Sequence, residues 1–162
     1  MDAADAVAHA EVVRLLFANA PVPRRILIKV PHLRLPSLPW NTLAMPLLDR
    51  NNTTLRSVVL PLGMPHIPLS CFQTCRALTA VHIPGSVVII RQYAFSQCVS
   101  LTAVTMDPGV IQISHMAFHG CVNLVSVAFP QTVAKIATFA FDGCGALDLA
   151  TRDGICARMW SN

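Results

Sequence analysis

Apolar residues along this chain return on one fixed interval, far longer than the period of a helix or a strand. Phe72, Phe95, Phe118 and Phe141 stand 23 residues apart, and Cys75, Cys98, Cys121 and Cys144 keep the same step. Leu55, Leu78, Leu101, Leu124 and Leu147 follow it, as do Val58, Val81, Val104 and Val127, and Leu60, Ile83, Met106 and Phe129. Further columns run through Met64, Val87, Val110 and Val133, and through Ile67, Ile90, Ile113 and Ile136. Ala94, Ala117 and Ala140 complete the set, with Cys71 in the equivalent place one coil earlier. Eight columns held in register over four periods establish an internal repeat. One period cannot bury its own apolar side, so coils must stack and share a single interior.

Each coil divides into predictable pieces. LTAVHIP, residues 78–84, reads as a strand in which Val81 and Ile83 alternate inward and Pro84 stops pairing. A turn follows at Gly85-Ser86, and at Pro108-Gly109 in the next coil. VVIIR, 87–91, predicts a second, shorter strand, and QYAFSQC, 92–98, a tight helical or 3₁₀ turn. There the small Ala94 permits close approach and Phe95 fills the interior, with Tyr93, Met116 and Phe139 expected to pack beside that ring. The fold class is therefore a repeat solenoid, mainly β with short helical or 3₁₀ turns. The outward positions of the longer strand are Ser57 and Val59, Ala80 and His82, Ala103 and Thr105, then Ser126 and Ala128.

The frame C-x-x-L-x-x-V-x-h-P, then V-x-x-I, then A-F-x-x-C (h meaning apolar) resembles the BspA-like leucine-rich repeat. It covers residues 52 to about 150, with Cys98 to Leu124 the best match. The resemblance implies a right-handed leucine-rich-repeat stack of parallel strands. It also implies recognition of other macromolecules, bacterial members often being displayed as adhesins on cell surfaces. Departures occur at Asn52, which takes a cysteine slot, and at Asp107, which replaces the strand-ending proline. The apolar pattern is lost at Ala150 and Arg152.

The repeat also explains the cysteines. A thiol after the turn behaves as a small hydrophobe with a weak donor, suited to a bend where coils press together. Cys75, Cys98, Cys121 and Cys144 are thus expected to form a structural ladder of free, buried thiols. Like-oriented side chains on parallel coils rarely meet disulfide torsions.

Outside the solenoid, 52–150, three further regions are expected. Residues 1–20 suit an N-terminal helix, with acids in its first turn, Pro21 after it, and Val7, Ala10, Val13, Arg14 and Phe17 on one side, all apolar but the arginine. It would cap the first coil, or else dock a partner. Residues 21–51 read as a degenerate first coil, since Leu35-Pro36 echoes Leu60-Pro61 at a distance of 25, and as a basic collar. Residues 151–162 form a C-terminal tail, in which Ile155, Met159 and Trp160 either fold over the last coil or mark a ragged end.

Composition then removes alternatives. Hydrophobic residues make up 54% of 162 and charged residues 12%, with mean hydropathy +0.55. Apolar runs are too short and too interrupted for a bilayer, which needs about 18 to 20 consecutive apolar residues. The hydrophobicity belongs to the inward columns, and no membrane span is expected. MDAADAVAHAE has no basic start, so an intracellular location is the default and the cell surface applies if a leader has been lost. The net charge of +4 gathers in residues 21–56 as Arg24, Arg25, Lys29, Arg34, Arg50 and Arg56 against Asp49. Without interleaved aromatics or a recognition motif this is a solvated rim, and nucleic acid is not the expected partner.

Candidate chemistry is thin. Cys71 and Cys75 lack a matching second pair for zinc. Cys156 stands outside the repeat, as a tail residue or a reactive thiol. His115 and His119 share i, i+4 spacing, but on a turn too short for a helix face. Nucleotide and hydrolase fingerprints are missing, and eight acids leave little for carboxylate-pair chemistry. No metal, cofactor or catalytic residue is expected. The reading is a non-enzymatic scaffold that binds another protein, whose tentative contact residues are Val59, Ala80, His82, Ala103, Thr105, Ser126 and Ala128. The alternative is a cell-surface or secreted adhesion module, such as a fragment of a longer repeat protein. An apolar stack also makes end-to-end self-association conceivable.

Overall fold

The structure is a computed structural model that describes residues 32–34 and 53–159. The expected N-terminal helix, most of the 21–51 region and Trp160 lie outside the described residues.

Two parallel sheets run the length of a solenoid of about four coils. The first contains β1 (His32–Arg34), β2 (Ser57–Val59), β4 (Ala80–Ile83), β6 (Ala103–Met106) and β8 (Ser126–Ala128), in that order. The second contains β3 (His66–Ile67), β5 (Ile89–Ile90), β7 (Gln112–Ile113) and β9 (Lys135–Ile136). Sequence repeat and strand register coincide: Val58 pairs with Val81, Val81 with Val104, and Val104 with Val127. β1 joins at a different offset, with Leu33 opposite Val58.

The columns form the interior. Phe72, Phe95 and Phe118 are fully buried, and successive rings stack at 5.2, 5.2 and 5.0 Å out to Phe141. The leucine, isoleucine and cysteine columns line the same core. A slip of one residue would turn each inward set outward, so burial and register enforce each other.

The segment from 92 to 98 differs from the expected 3₁₀ turn. Its i→i+3 bonds are present, Ala94 N–H to Arg91 O and Cys98 N–H to Phe95 O, both at 3.3 Å. Left-handed residues interrupt them, however: Tyr93 at φ 57° and Gln97 at φ 61°, with Ser70, Thr74, Met116 and Phe139 alike in neighbouring coils. Such residues reverse the chain and prevent a helix. They also swing the bulky slot outward, which corrects the expectation that Tyr93, Met116 and Phe139 pack beside Phe95. Phe139 is 52% exposed, and His115 makes edge contacts outside the core with Tyr93 at 6.5 Å and Phe139 at 5.7 Å.

The fifth coil begins as a helix, α1 (Leu149–Cys156). Asp148 caps it, its carboxylate accepting from Thr151 N–H at 2.7 Å. Leu149 lies 23 residues after Ser126, so α1 takes the place of the next strand in the first sheet. Thr151 is buried and its hydroxyl accepts the Val127 N–H at 3.1 Å, closing part of the edge of β8. The chain then returns to register: Ile136 bridges in parallel to Met159, again 23 residues on. A domain boundary drawn at residue 150 falls inside this helix.

Candidate functional site: the outer face of the first sheet

The alternation buried–exposed along β4 and β6 sets one side of each strand outside. Register then aligns these outward residues into rows. Ser57, Ala80, Ala103 and Ser126 form one; Val59, His82, Thr105 and Ala128 form the other. Thus the structure brings all seven tentative contact residues onto a single face, and none of them is an acid, a lysine or an arginine.

Polar groups tie the rows together. His32 Nδ1 lies 2.7 Å from the Ser57 hydroxyl, outside β2. His82 sits between two residues of the following coil, with Nδ1 3.1 Å from Thr105 Oγ1 and Nε2 3.2 Å from Asp107 Oδ2. A carboxylate only accepts, so Nε2–H donates to Asp107, and in the neutral ring Nδ1 accepts from the Thr105 hydroxyl. Asp107 is the neighbour of this face that the sequence alone does not reveal. Its replacement of the strand-ending proline was visible, yet its reach to His82 depends on register.

An acid, an imidazole and a hydroxyl in line have the composition of a nucleophilic triad, but not its setting. The His82 and Asp107 side chains are 58% and 51% exposed, and the face is an open sheet surface rather than a cleft. Threonines line one border in the same manner, Thr79 Oγ1 donating to Arg56 O at 3.3 Å and Thr102 Oγ1 to Thr79 O at 3.0 Å. These are ties between successive coils.

Cys75, Cys98, Cys121 and Cys144 lie inside the bend, buried and outside any disulfide; Cys71 is buried beside them and Cys156 is exposed. Burial pushes the Cys75 thiol up to about 12, and burial followed by the neighbouring Cys75 raises Cys98. The neighbouring Cys144 thiol, then burial, raises Cys121, and the same contact lowers Cys144. Raised and enclosed, the Cys75, Cys98 and Cys121 thiols are poor nucleophiles and poor metal ligands. His115 and His119 do not converge on a common point: His115 Nδ1 is 3.0 Å from Thr138 O, and His119 Nδ1 is 3.3 Å from Asp142 Oδ2. Among the described residues no group of three or more histidines, cysteines or acids is arranged to hold a metal ion.

Residues 50–151 match the BspA type leucine rich repeat region, in six copies. The chain belongs to this family. It is a leucine-rich-repeat solenoid, a repeat scaffold. A leucine rich cell surface protein from Faecalibacterium prausnitzii A2-165, known from a crystal structure, is 28% identical with a TM-score of 0.46. That match covers 64% of this chain and 34% of the other, so this chain spans about a third of its length. No curated protein matches the chain. Among the described residues no helix is long and apolar enough to cross a membrane.

Proposed function

We propose that this leucine-rich-repeat protein is a non-enzymatic scaffold that binds another protein along the outer face of its first sheet. The observation that carries this reading is the register, which assembles Ser57, Ala80, Ala103 and Ser126, and Val59, His82, Thr105 and Ala128, into one continuous strip of small, nearly uncharged side chains. Such a strip gives a partner a broad surface with little charge to desolvate, so affinity comes from area and shape. His82 and Asp107 supply one polar anchor at its edge. The reading concerns the face and applies in either compartment. The intracellular expectation rests on the amino end, which lies outside the described residues.

The test is crosslinked capture from the native cells, comparing the unsubstituted chain with Ala103→Arg on the strip and Arg91→Ala away from it. A partner held by the first and third and lost by Ala103→Arg supports the assignment. Equal retention by all three chains removes it.

A further inference from the structure

The border of the strip beside Ser57 and Ala80 is a column of residues joined by backbone hydrogen bonds from coil to coil. Thr79 N–H donates to Arg56 O at 3.1 Å, Thr102 N–H to Thr79 O at 2.8 Å, and Val125 N–H to Thr102 O at 2.9 Å. Asp148 N–H to Val125 O at 2.9 Å completes it, so the column starts at a cation and ends at an anion. Arg76 stands three residues before Thr79, in the turn closed by Leu78 N–H to Cys75 O at 3.1 Å. Arg56 and Arg76 therefore reach the same end of the border from successive coils. β1 sets Arg34 in register with Val59 at that end too. Arg56 and Arg76 are exposed, and among the described residues neither forms an ion pair. Residues 50–106 contain four arginines and no acid, so no carboxylate of these coils offsets them. The acids of this face lie elsewhere, Asp107 beside His82 on the opposite border and Asp148 at the far end of the column.

We propose that the partner of this face is an acidic protein segment, an inference that rests on the reading of the face as a docking surface. Its carboxylates sit over Arg56 and Arg76, and its small or apolar side chains lie across Ala80 and Ala103. Cations without local counter-charge raise a positive potential at one end of the strip, which speeds and orients the docking of an opposite charge. A guanidinium matches a carboxylate in a two-point fork, so two arginines on successive coils accept two acids of one segment. A nucleic acid fits less well, because its phosphates repeat along its length and would meet Asp107 and Asp148 beyond the arginines. The strip also offers no ring except His82 on which a base could stack.

The probe is an acetylated and amidated peptide of about six aspartate–alanine repeats, longer when extended than the strip. Amide shifts are followed on the labelled full chain in low salt, where such contacts are least screened. The peptide should move Ser57, Thr79, Ala80 and Ala103 and leave Ile89 and Gln112 of the second sheet in place. Its asparagine–alanine counterpart should move none of them, and Arg56→Glu with Arg76→Glu should weaken binding at least about tenfold. No shifts, equal shifts with both peptides, or unchanged affinity in the double variant would overturn the proposal. Stronger shifts with oligouridylate would overturn it in favour of a phosphate backbone. Shifts at Asp2, Asp5 or Glu11 when the double substitution is made in the free chain would assign the arginines to this chain's own acids instead. Should the double reversal fail to fold, Arg56→Gln with Arg76→Gln gives the same comparison. Native capture tells the two readings apart. A partner lost by Ala103→Arg but kept by the double variant leaves the face as a docking surface and removes its acidic occupant. A partner kept by both removes the face as well.

Discussion

The thiol of Cys121 donates to the carbonyl oxygen of Phe95, 3.2 Å away and 26 residues earlier in the chain. Cys98 does the same to Phe72 at 3.1 Å, and Cys144 to Phe118 at 3.1 Å. Each phenylalanine carbonyl also accepts from the N–H of the cysteine in its own coil, Cys98 N–H to Phe95 O at 3.3 Å for instance. The cysteine column therefore closes its own turn with backbone and pins the previous turn with sulfur. Alanine lacks the second bond, and larger apolar residues lack the room.

Cys121→Ala should cost about 1–2 kcal/mol, the sum of a weak hydrogen bond and a small cavity. Urea unfolding followed by circular dichroism measures it. A neutral substitution would mean that the sulfur contact fills space and nothing more.

The same burial makes the fold sensitive to alkali. Cys75 is held up to about 12, whereas a cysteine in an unfolded chain ionises near about 8.5. Between those values the folded state retains a proton that the unfolded state loses, so stability falls as pH rises. The contribution is complete below the unfolded pKa and declines by up to about 1.4 kcal/mol per pH unit for each such thiol. Unfolding free energy measured from pH 7 to 10 should fall more steeply for the unsubstituted chain than for Cys75→Ala. Parallel curves would show that the thiols are ionised or solvated in the fold.

How legible this was depends on what the repeat encodes. Inward columns, strand positions and coil stacking follow from a 23-residue interval, because register repeats whatever chemistry sits at each column. The left-handed residues were hidden: Tyr93, Met116 and Phe139 are bulky and resemble core residues, and no glycine marks their slot. Helix α1 was hidden too, because Leu149 continues the 23-residue count even as Asp148 and Thr151 convert a strand into a cap. The outward rows were readable one strand at a time. The tie from His82 to Asp107 was not, since it joins residues 25 apart that only strand pairing places together.

Phe118→Ala removes a ring sandwiched between Phe95 at 5.2 Å and Phe141 at 5.0 Å, and should cost about 3–5 kcal/mol. His119→Ala, next along the chain but partly exposed, should cost about 1 kcal/mol or less. Paired thermal denaturation separates them. Similar losses at the two positions would place the inward face elsewhere.

Gly109 has φ 151°, and a side-chain carbon there would run into the carbonyl of Gly85 in the preceding coil. Because that neighbour is backbone, it cannot rotate away. Gly109→Ala should therefore destabilise by about 2 kcal/mol or more, whereas Gly145→Ala, which meets nothing within 4 Å, should be close to neutral. Comparable melting temperatures for the two variants would show that the turns between strands can separate without loss.

At the far end, Val127 is the central residue of β8, and beyond it lies α1 rather than another strand. Its N–H is carried by the Thr151 hydroxyl at 3.1 Å, a bond between a sheet edge and a buried side chain on the helix. Thr151→Val keeps the shape and deletes the acceptor, leaving a buried donor unpaired at about 1–3 kcal/mol. Thr151→Ser keeps the hydroxyl and loses one methyl, so its cost should be smaller. Amide exchange at Val127 gives an independent reading: it should accelerate in the valine variant and stay slow in the serine variant. If valine matched the parent in both stability and exchange, the edge would be closed by packing of the helix alone, and the hydroxyl would have no part in ending the sheet.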